Sequence, residues 1–212
     1  MNILLLGPTK QKILKNFRVE EIKNYLIKKK NIVIQSNKKI DINYLNKFKV
    51  EFIICNGYPH KISSDIVKNY KNKIVNLHNA LLPHGRGVGV NLFCIIKNLP
   101  TGISIHYIDK NWDTGPILKT QIINPKKNET FREFYLRLLE KTNEVFIKNW
   151  DDIKNNKLKI RKQNAKDIDI TSKIRMEAML DYFGQSYDIK IKDLLKFRDS
   201  FLTNEIFFKI FK

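Results

Sequence analysis

Three side chains of this chain, an amide, an imidazole and a carboxylate, have the types that an acyl-transfer site needs. Asn76 and His78 are separated by one leucine, and Asp113 follows in an Asp-Thr-Gly turn. An acyl group that moves to an amine passes through a tetrahedral oxyanion, which each amide or imidazolium N–H donor stabilises by roughly 3 kcal/mol. A carboxylate orients the imidazole, stabilises its charge and relays a proton through water. The three residues therefore predict an enzyme that transfers an acyl group.

The elements around these residues predict an α/β fold. An apolar strand leads into Asn76 and His78, which lie two apart and so point to the same face at its carboxyl end, where open α/β sheets bind ligands. Further strands are predicted at residues 2–6, 31–35, 51–55, 102–109 and 117–123, and helices at 19–30, 63–70 and 90–97. This alternation predicts a Rossmann-like, mostly parallel, twisted sheet flanked by helices.

The remaining elements are a long helix and a small C-terminal extension. Thr130 and Glu133 form a capping-box pattern, and apolar residues then recur at helical spacing, at Phe134, Leu138, Val145 and Trp150. The strand at 102–109 alternates and is predicted to be half-buried. After residue 156 the pattern changes to short extended pieces and helical candidates at 175–183 and 191–201. We therefore predict a catalytic domain at 1–156 and a short extension at 157–212.

Three motifs resemble the core of the folate-dependent formyltransferases. They lie at residues 75–87, 101–109 and 112–118, and the resemblance covers roughly residues 50–125. The catalytic Asn, His and Asp of that family fall on Asn76, His78 and Asp113. The resemblance implies N10-formyltetrahydrofolate as cosubstrate and no metal, and it implies folate contacts from Gly57, Tyr58, Ile108, Trp112 and Gly115. Contacts to the second substrate are implied for Pro83, Arg86 and Asn91.

Within this family, the chain most resembles the sugar N-formyltransferases, which act on nucleotide-linked 4-amino or 3-amino deoxysugars. Their compact core, the Arg-Gly after Leu-Leu-Pro and a short C-terminal extension look similar to this sequence. We expect a dTDP-linked amino sugar. A glycinamide ribonucleotide formyltransferase is disfavoured, because Gly7-Pro8-Thr9-Lys10 lacks a glycine-rich phosphate-binding turn. A methionyl-tRNA formyltransferase is the alternative, although we expect the tail after residue 156 to be too short for its C-terminal domain.

The charge leaves one alternative open. The net charge of +19 suits a phosphate-rich partner, but the lysines are spread along the chain and only residues 28–30 form a run. A nucleic-acid surface is therefore not expected, and a non-catalytic basic binding module is the competing interpretation. Metal binding is not expected, because the four histidines match no zinc spacing.

Composition also bears on location and assembly. Cys55 and Cys94 both lie in apolar segments, which predicts core thiols in a reducing cytoplasm. No apolar stretch is long enough for a membrane helix or the core of a signal peptide, so we expect a cytoplasmic protein without membrane contact. The apolar residues near 206–211 predict a partly buried C-terminal end, and the analogy with the sugar formyltransferases suggests a homodimer through it.

Overall fold

The computed structural model describes residues 1–8, 17–87, 89–164, 170–171 and 187–201. The strands are β1 (Asn2–Leu6), β2 (Ile32–Ser36), β3 (Phe52–Cys55), β4 (Ile74–His78), β5 (Arg86–Gly87), β6 (Gly102–Tyr107), β7 (Ile117–Ile122) and β8 (Ile170–Thr171). The helices are α1 (Phe17–Lys28), α2 (Ile42–Lys47), α3 (Ser64–Asn69), α4 (Val90–Ile96), α5 (Phe131–Lys154) and α6 (Ile191–Phe201).

Six strands form the central sheet in the order β2-β1-β3-β4-β6-β7. The first four are parallel to one another, with helices in the connections between them. β6 runs antiparallel to both of its neighbours, β4 and β7. The predicted Rossmann-like, mostly parallel α/β sheet is confirmed, and β6 is the strand that makes it mixed. The short strands β5 and β8 pair separately in parallel.

The prediction that the strand at 102–109 is half-buried is wrong. All six residues of β6 are buried, including the polar Ser104 and His106. β6 lies inside the sheet, between β4 and β7, and a strand covered on both faces does not expose its alternate side chains. The polar residues there need hydrogen bonds instead of solvent, and Ser104 accepts from the Leu82 N–H and donates to the Ala80 carbonyl.

Helix α5 joins the sheet to the rest of the core. It begins at the predicted capping box, in which Thr130 and Glu133 hydrogen-bond to each other's backbone N–H groups. Of its predicted core face, Phe134, Leu138 and Trp150 are buried, whereas Val145 is only partly buried. Helix α2, which is capped by the Asp41 side chain, was not predicted from the sequence, because six residues are too few for a clear helical periodicity.

Several sequence predictions concern residues outside the described part of the chain. They are the helix at 175–183, the apolar end at 206–211, and Thr9 and Lys10 of the first loop. The domain division at residue 156 stays a prediction. Among the described helices, none combines the length and the apolar character that a membrane span needs.

Trp150 lies in the hydrophobic core between the sheet and helices α1 and α5, and we expect it to contribute strongly to the free energy of unfolding. Its ring is fully buried and lies 5.3 Å from the Phe52 ring and 5.4 Å from the Phe146 ring. We expect Trp150→Ala to lower the free energy of unfolding by about 3–5 kcal/mol, measured by urea denaturation. Trp112 is 49% exposed, so Trp112→Ala is the matched control. Equal losses in the two variants would contradict this account of the core.

Candidate active site

Both Asn76 and His78 lie in β4, as the sequence predicts: Asn76 is its middle residue and His78 is the last residue, at the carboxyl end. The antiparallel pairing of β4 with β6 places Asn76 opposite His106 and His78 opposite Ser104. Asp113 lies in the loop between β6 and β7, and its buried side chain contacts residues of β4 and β6. The fold thus brings together the three residues that the sequence separates.

Asp113 is the centre of this cluster. Its Oδ1 accepts a hydrogen bond from Asn76 Nδ2 at 3.1 Å and lies 3.8 Å from His78 Nδ1. Its Oδ2 accepts from the backbone N–H of Gly87 at 3.0 Å. The amide, the imidazole and the carboxylate are therefore within direct reach of one another.

His106 is a fourth member of the cluster, which the sequence predicted only as a residue that packs or hydrogen-bonds on its own strand. Its Nδ1 does hydrogen-bond to the Tyr107 carbonyl oxygen, at 2.8 Å. Its Nε2, however, lies 3.1 Å from Asn76 Nδ2 and 3.4 Å from Asp113 Oδ1. With the proton on Nδ1 alone it accepts from Asn76, and when protonated on both nitrogens it donates to Asp113. This position depends on the antiparallel direction of β6, which the sequence did not reveal, so His106 was not predicted as a member of the cluster.

The second nitrogen of His78 is already engaged. Nε2 lies 2.5 Å from the carbonyl oxygen of Gly85, which can only accept, so Nε2 carries a proton. Nδ1 then faces Asp113, and a proton there makes an imidazolium next to the carboxylate. In this arrangement His78 Nδ1 faces the carboxylate, while its Nε2–H points to Gly85. Direct donation from Nε2 to an oxyanion requires that the bond to Gly85 be exchanged.

The Asp113 carboxyl is held in its charged form. Burial by itself raises the pKa of Asp113, but the charge of His78, the hydrogen bond and charge of His106, and the Gly87 N–H together hold it well below its usual range. The backbone of Asp113 is also unusual, since its φ of 53° lies in the left-handed region. Apart from Gly, this conformation is tolerated best by Asn and Asp.

A cleft opens beside Asn76 and Asp113. It encloses about 440 Å³ of space, part of it open to solvent. Three of the five residues predicted to contact folate, Tyr58, Ile108 and Trp112, line this cleft. The other two predicted residues, Gly57 and Gly115, do not line the cleft. Gly115 instead serves packing, because a Cβ there would lie 1.8 Å from the Tyr107 carbonyl oxygen.

The side chain of Tyr58 is fixed at the cleft. Its hydroxyl donates to the Lys38 carbonyl oxygen at 2.9 Å, and its ring meets His60 edge to face. Burial raises the pKa of Tyr58 to about 12, so the phenol is neutral at physiological pH. A neutral aromatic ring, an exposed indole and an aliphatic side chain next to polar catalytic groups are the usual lining of a small-molecule site.

The three residues predicted to contact the second substrate lie in different surroundings. Pro83 is half-buried in the segment after β4. Asn91 is 5% exposed, and its Oδ1 finds no hydrogen-bond partner among the described residues. Arg86 is 1% exposed, and its Nε and Nη2 donate to Gln163 Oε1 at 3.2 and 2.7 Å. Their roles in substrate binding stay predictions.

The sequence matches known proteins over most of this fold. The sequence model described as formyl transferase matches residues 4–149. The solved structure of the formyltransferase PseJ from Anoxybacillus kamchatkensis, in complex with UDP-4,6-dideoxy-4-formamido-L-AltNAc and tetrahydrofolate, is similar to this chain with a TM-score of 0.82 and 29% identity. The similarity covers 92% of this chain and 97% of PseJ.

Curated relatives with other substrates also match. The chloroplastic phosphoribosylglycinamide formyltransferase of Vigna unguiculata is 28% identical over 112 residues, which are 50% of this chain and 36% of that protein. The methionyl-tRNA formyltransferase of Finegoldia magna is 26% identical over 167 residues, which are 78% of this chain and 53% of that protein. This chain therefore spans only about a third to a half of the length of these relatives.

The depressed pKa of Asp113 makes part of the stability depend on pH. A carboxyl whose pKa is lower in the folded than in the unfolded chain, where it is about 3.9, stabilises the fold above that value, and this contribution is lost as the pH falls. We expect the free energy of unfolding of the wild type to exceed that of Asp113→Asn at pH 7, and this difference to narrow below about pH 4.

Urea denaturation between pH 7 and pH 3 measures this difference. Asp152 is exposed on α5, so Asp152→Asn controls for the loss of one negative charge. A difference between wild type and Asp113→Asn that stays constant over the whole range would refute the charged state assigned to Asp113.

Proposed function

This chain belongs to the formyl transferase family, and on that premise we propose that it transfers the formyl group of N10-formyltetrahydrofolate to the amine of a nucleotide-linked amino-deoxysugar. The observation that carries the proposal is the cluster of Asn76, His78 and Asp113, of which Asn76 and Asp113 line a cleft. An amide donor, a charged imidazole and a carboxylate are the groups that formyl transfer to an amine uses.

The lining of the cleft supports folate as the cosubstrate. Tyr58, Ile108 and Trp112 offer flat and aliphatic surfaces, and Asn76 and Asp113 lie at the same cleft. A ring system placed against the aromatic residues would have its formyl group within reach of the amide and the carboxylate. N10-formyltetrahydrofolate would supply the formyl carbon, and residues of this chain would stabilise the oxyanion and accept the proton.

Asn76 would stabilise the oxyanion that forms when the amine attacks. Its Nδ2 donates to Asp113 and lies within hydrogen-bond distance of His106, so a bound formyl oxygen has to take over one of these two directions. His78 would contribute the positive charge next to Asp113, and its Nε2–H is available only if it leaves Gly85. The donors of Asn76 and His78 already hydrogen-bond to other groups of the protein, so substrate binding has to exchange these internal hydrogen bonds for contacts with the substrate.

Asp113 would accept the proton that leaves the amine, directly or through a water. Collapse of the tetrahedral intermediate would then break the bond between the formyl carbon and N10 and release tetrahydrofolate, whose N10 takes up a proton from water. The low pKa of Asp113 keeps it ionised, and the neighbouring imidazoles limit how basic it is, so a relay through water to solvent suits it better than permanent proton capture. The attacking amine has to be neutral, because an ammonium has no free electron pair. Turnover should therefore slow at low pH through the substrate.

The similarity to PseJ supports a nucleotide-linked sugar as the acceptor. That enzyme was solved with a UDP-linked 4-formamido sugar, and the match spans nearly the whole of both chains. On this basis a UDP-linked 4-amino sugar is favoured over the dTDP-linked sugar that the sequence resemblance predicts. The match to methionyl-tRNA formyltransferase, together with the net charge of +19, makes initiator tRNA the second candidate acceptor.

The assay that tests this proposal follows the release of tetrahydrofolate from N10-formyltetrahydrofolate. UDP- and dTDP-linked 4-amino and 3-amino sugars, aminoacylated initiator tRNA and glycinamide ribonucleotide serve as acceptors. We expect turnover with at least one sugar nucleotide and only background release with the tRNA and with glycinamide ribonucleotide. Turnover with tRNA alone would make the second candidate the function, and release without any formylated acceptor would overturn the transfer reaction itself.

The variants Asn76→Ala, His78→Ala and Asp113→Ala should each lower kcat by about 100-fold or more, because each removes a group that acts on the developing charge. Their circular dichroism spectra should remain those of a folded protein. Asn69 is exposed on α3, away from these residues, so Asn69→Ala is the matched control and should keep wild-type kcat. Near wild-type kcat in all three site variants would place the chemistry elsewhere.

A further inference from the structure

The loop that carries Asp113 is held from outside the cluster by Gln163, a residue of the segment that follows α5. The Nε2 of Gln163 donates to two backbone carbonyl oxygens of this loop, that of Asp113 at 3.0 Å and that of Gly115 at 2.6 Å. One amide group therefore bridges the residue that carries the carboxylate and the glycine two positions later.

Arg86 fixes which way the Gln163 amide points. Its Nε and Nη2 donate to Gln163 Oε1, at 3.2 and 2.7 Å, so the oxygen is held by a buried cation and the nitrogen must face the two carbonyls. The opposite orientation would place an N–H₂ group against the guanidinium and an oxygen against two carbonyl oxygens. The geometry allows one amide orientation, and that orientation supports the loop.

Strand β5, which contains Arg86, also contacts Asp113 directly. Gly87, next to Arg86 in β5, donates its backbone N–H to Asp113 Oδ2 at 3.0 Å. Strand β5 thus contacts the carboxylate directly and reaches the Asp113 backbone through Gln163. The loop has to be held, because Asp113 adopts a left-handed φ of 53°, which an unsupported residue leaves easily.

Backbone pairing places Gln163 at this position. Arg161 and Ile117 exchange two backbone hydrogen bonds, of 2.8 and 2.9 Å, at the start of β7. The chain therefore crosses the end of the Asp113 loop as an extra extended piece two residues before Gln163. Residues 170–171 then pair with β5, so the segment after α5 contacts both β7 and β5. We call the hydrogen bonds of Gln163 with Arg86, Asp113 and Gly115 the clamp.

We infer that Gln163 is a positioning residue for the reaction, which sets the place of the Asp113 carboxylate through the loop backbone without touching substrate. The inference rests on the proposed function, because it assigns Gln163 a part in that turnover. A group displaced by about 1 Å can cost on the order of 100-fold in rate, so losing the clamp should act on kcat more than on KM.

Two variants separate the parts of the clamp. Gln163→Leu removes both donors and the acceptor. Gln163→Glu keeps the size and the contact with Arg86 but sets a carboxylate oxygen against two carbonyl oxygens. We expect each to lower kcat by about 10- to 100-fold, with KM changed less than about 3-fold. Gln121 is exposed on β7, so Gln121→Glu is the matched control and should behave as the wild type.

Combination with Asp113→Asn distinguishes positioning from a general loss of structure. If Gln163 acts through the Asp113 carboxylate, Gln163→Leu should cost little further turnover once that carboxylate is gone, within about 3-fold. Full multiplication of the two losses would overturn the inference. So would wild-type kcat in both Gln163 variants, or failure of both variants to fold, which would make the role structural.

A second readout does not depend on turnover. Carbon-13 NMR of the Asp carboxyl groups, with the Asp113 signal assigned by Asp113→Asn, follows the titration of this side chain. Release of the loop should take the carboxylate away from the Gly87 N–H and from the imidazoles of His78 and His106, and should raise the pKa of Asp113. An unchanged titration in Gln163→Leu would overturn the inference. An inactive wild type with a changed titration would instead refute the proposed function and keep the clamp.

Discussion

The compensation of one buried charge, the carboxylate of Asp113, organises this end of the molecule. A buried carboxylate without partners is very costly, and this one has an amide N–H, a backbone N–H and two imidazoles around it. The four partners come from three strands: β4 supplies Asn76 and His78, β5 supplies Gly87, and β6 supplies His106. Because these groups converge on one carboxylate, three strands have to keep their relative placement for its charge to be compensated.

The mixed direction of the sheet makes this convergence possible. Parallel strands alone would bring together only residues from their carboxyl ends, at one edge. β6 runs the other way, so the cross-strand partner of Asn76 is a histidine near the end of β6, and the loop that follows returns Asp113 over both. The burial of β6 on both faces then excludes water from its polar side chains, which strengthens the electrostatic interactions there.

The sequence predicted the sheet and the capping box of α5, because hydrophobic periodicity and capping patterns are local signals, and its motifs predicted that Asn76, His78 and Asp113 lie together. It did not predict His106 as a member, since that depends on the direction of β6 and on its register with β4. Gln163 was missed for a similar reason. Its partners lie far away in sequence, and a lone glutamine in a polar segment carries no pattern that reveals which backbone carbonyls it will reach.

The left-handed backbone of Asp113 restricts which side chain this position can carry, beyond the need for a charge. Chemistry alone would accept Glu, whose carboxylate is equally anionic, but the longer side chain lacks the ease with which Asp enters this region of φ. Backbone conformation alone would accept Asn or Gly, neither of which is charged. Aspartate is the residue that satisfies both demands, so the identity of this position is determined twice, once by electrostatics and once by the shape of the chain.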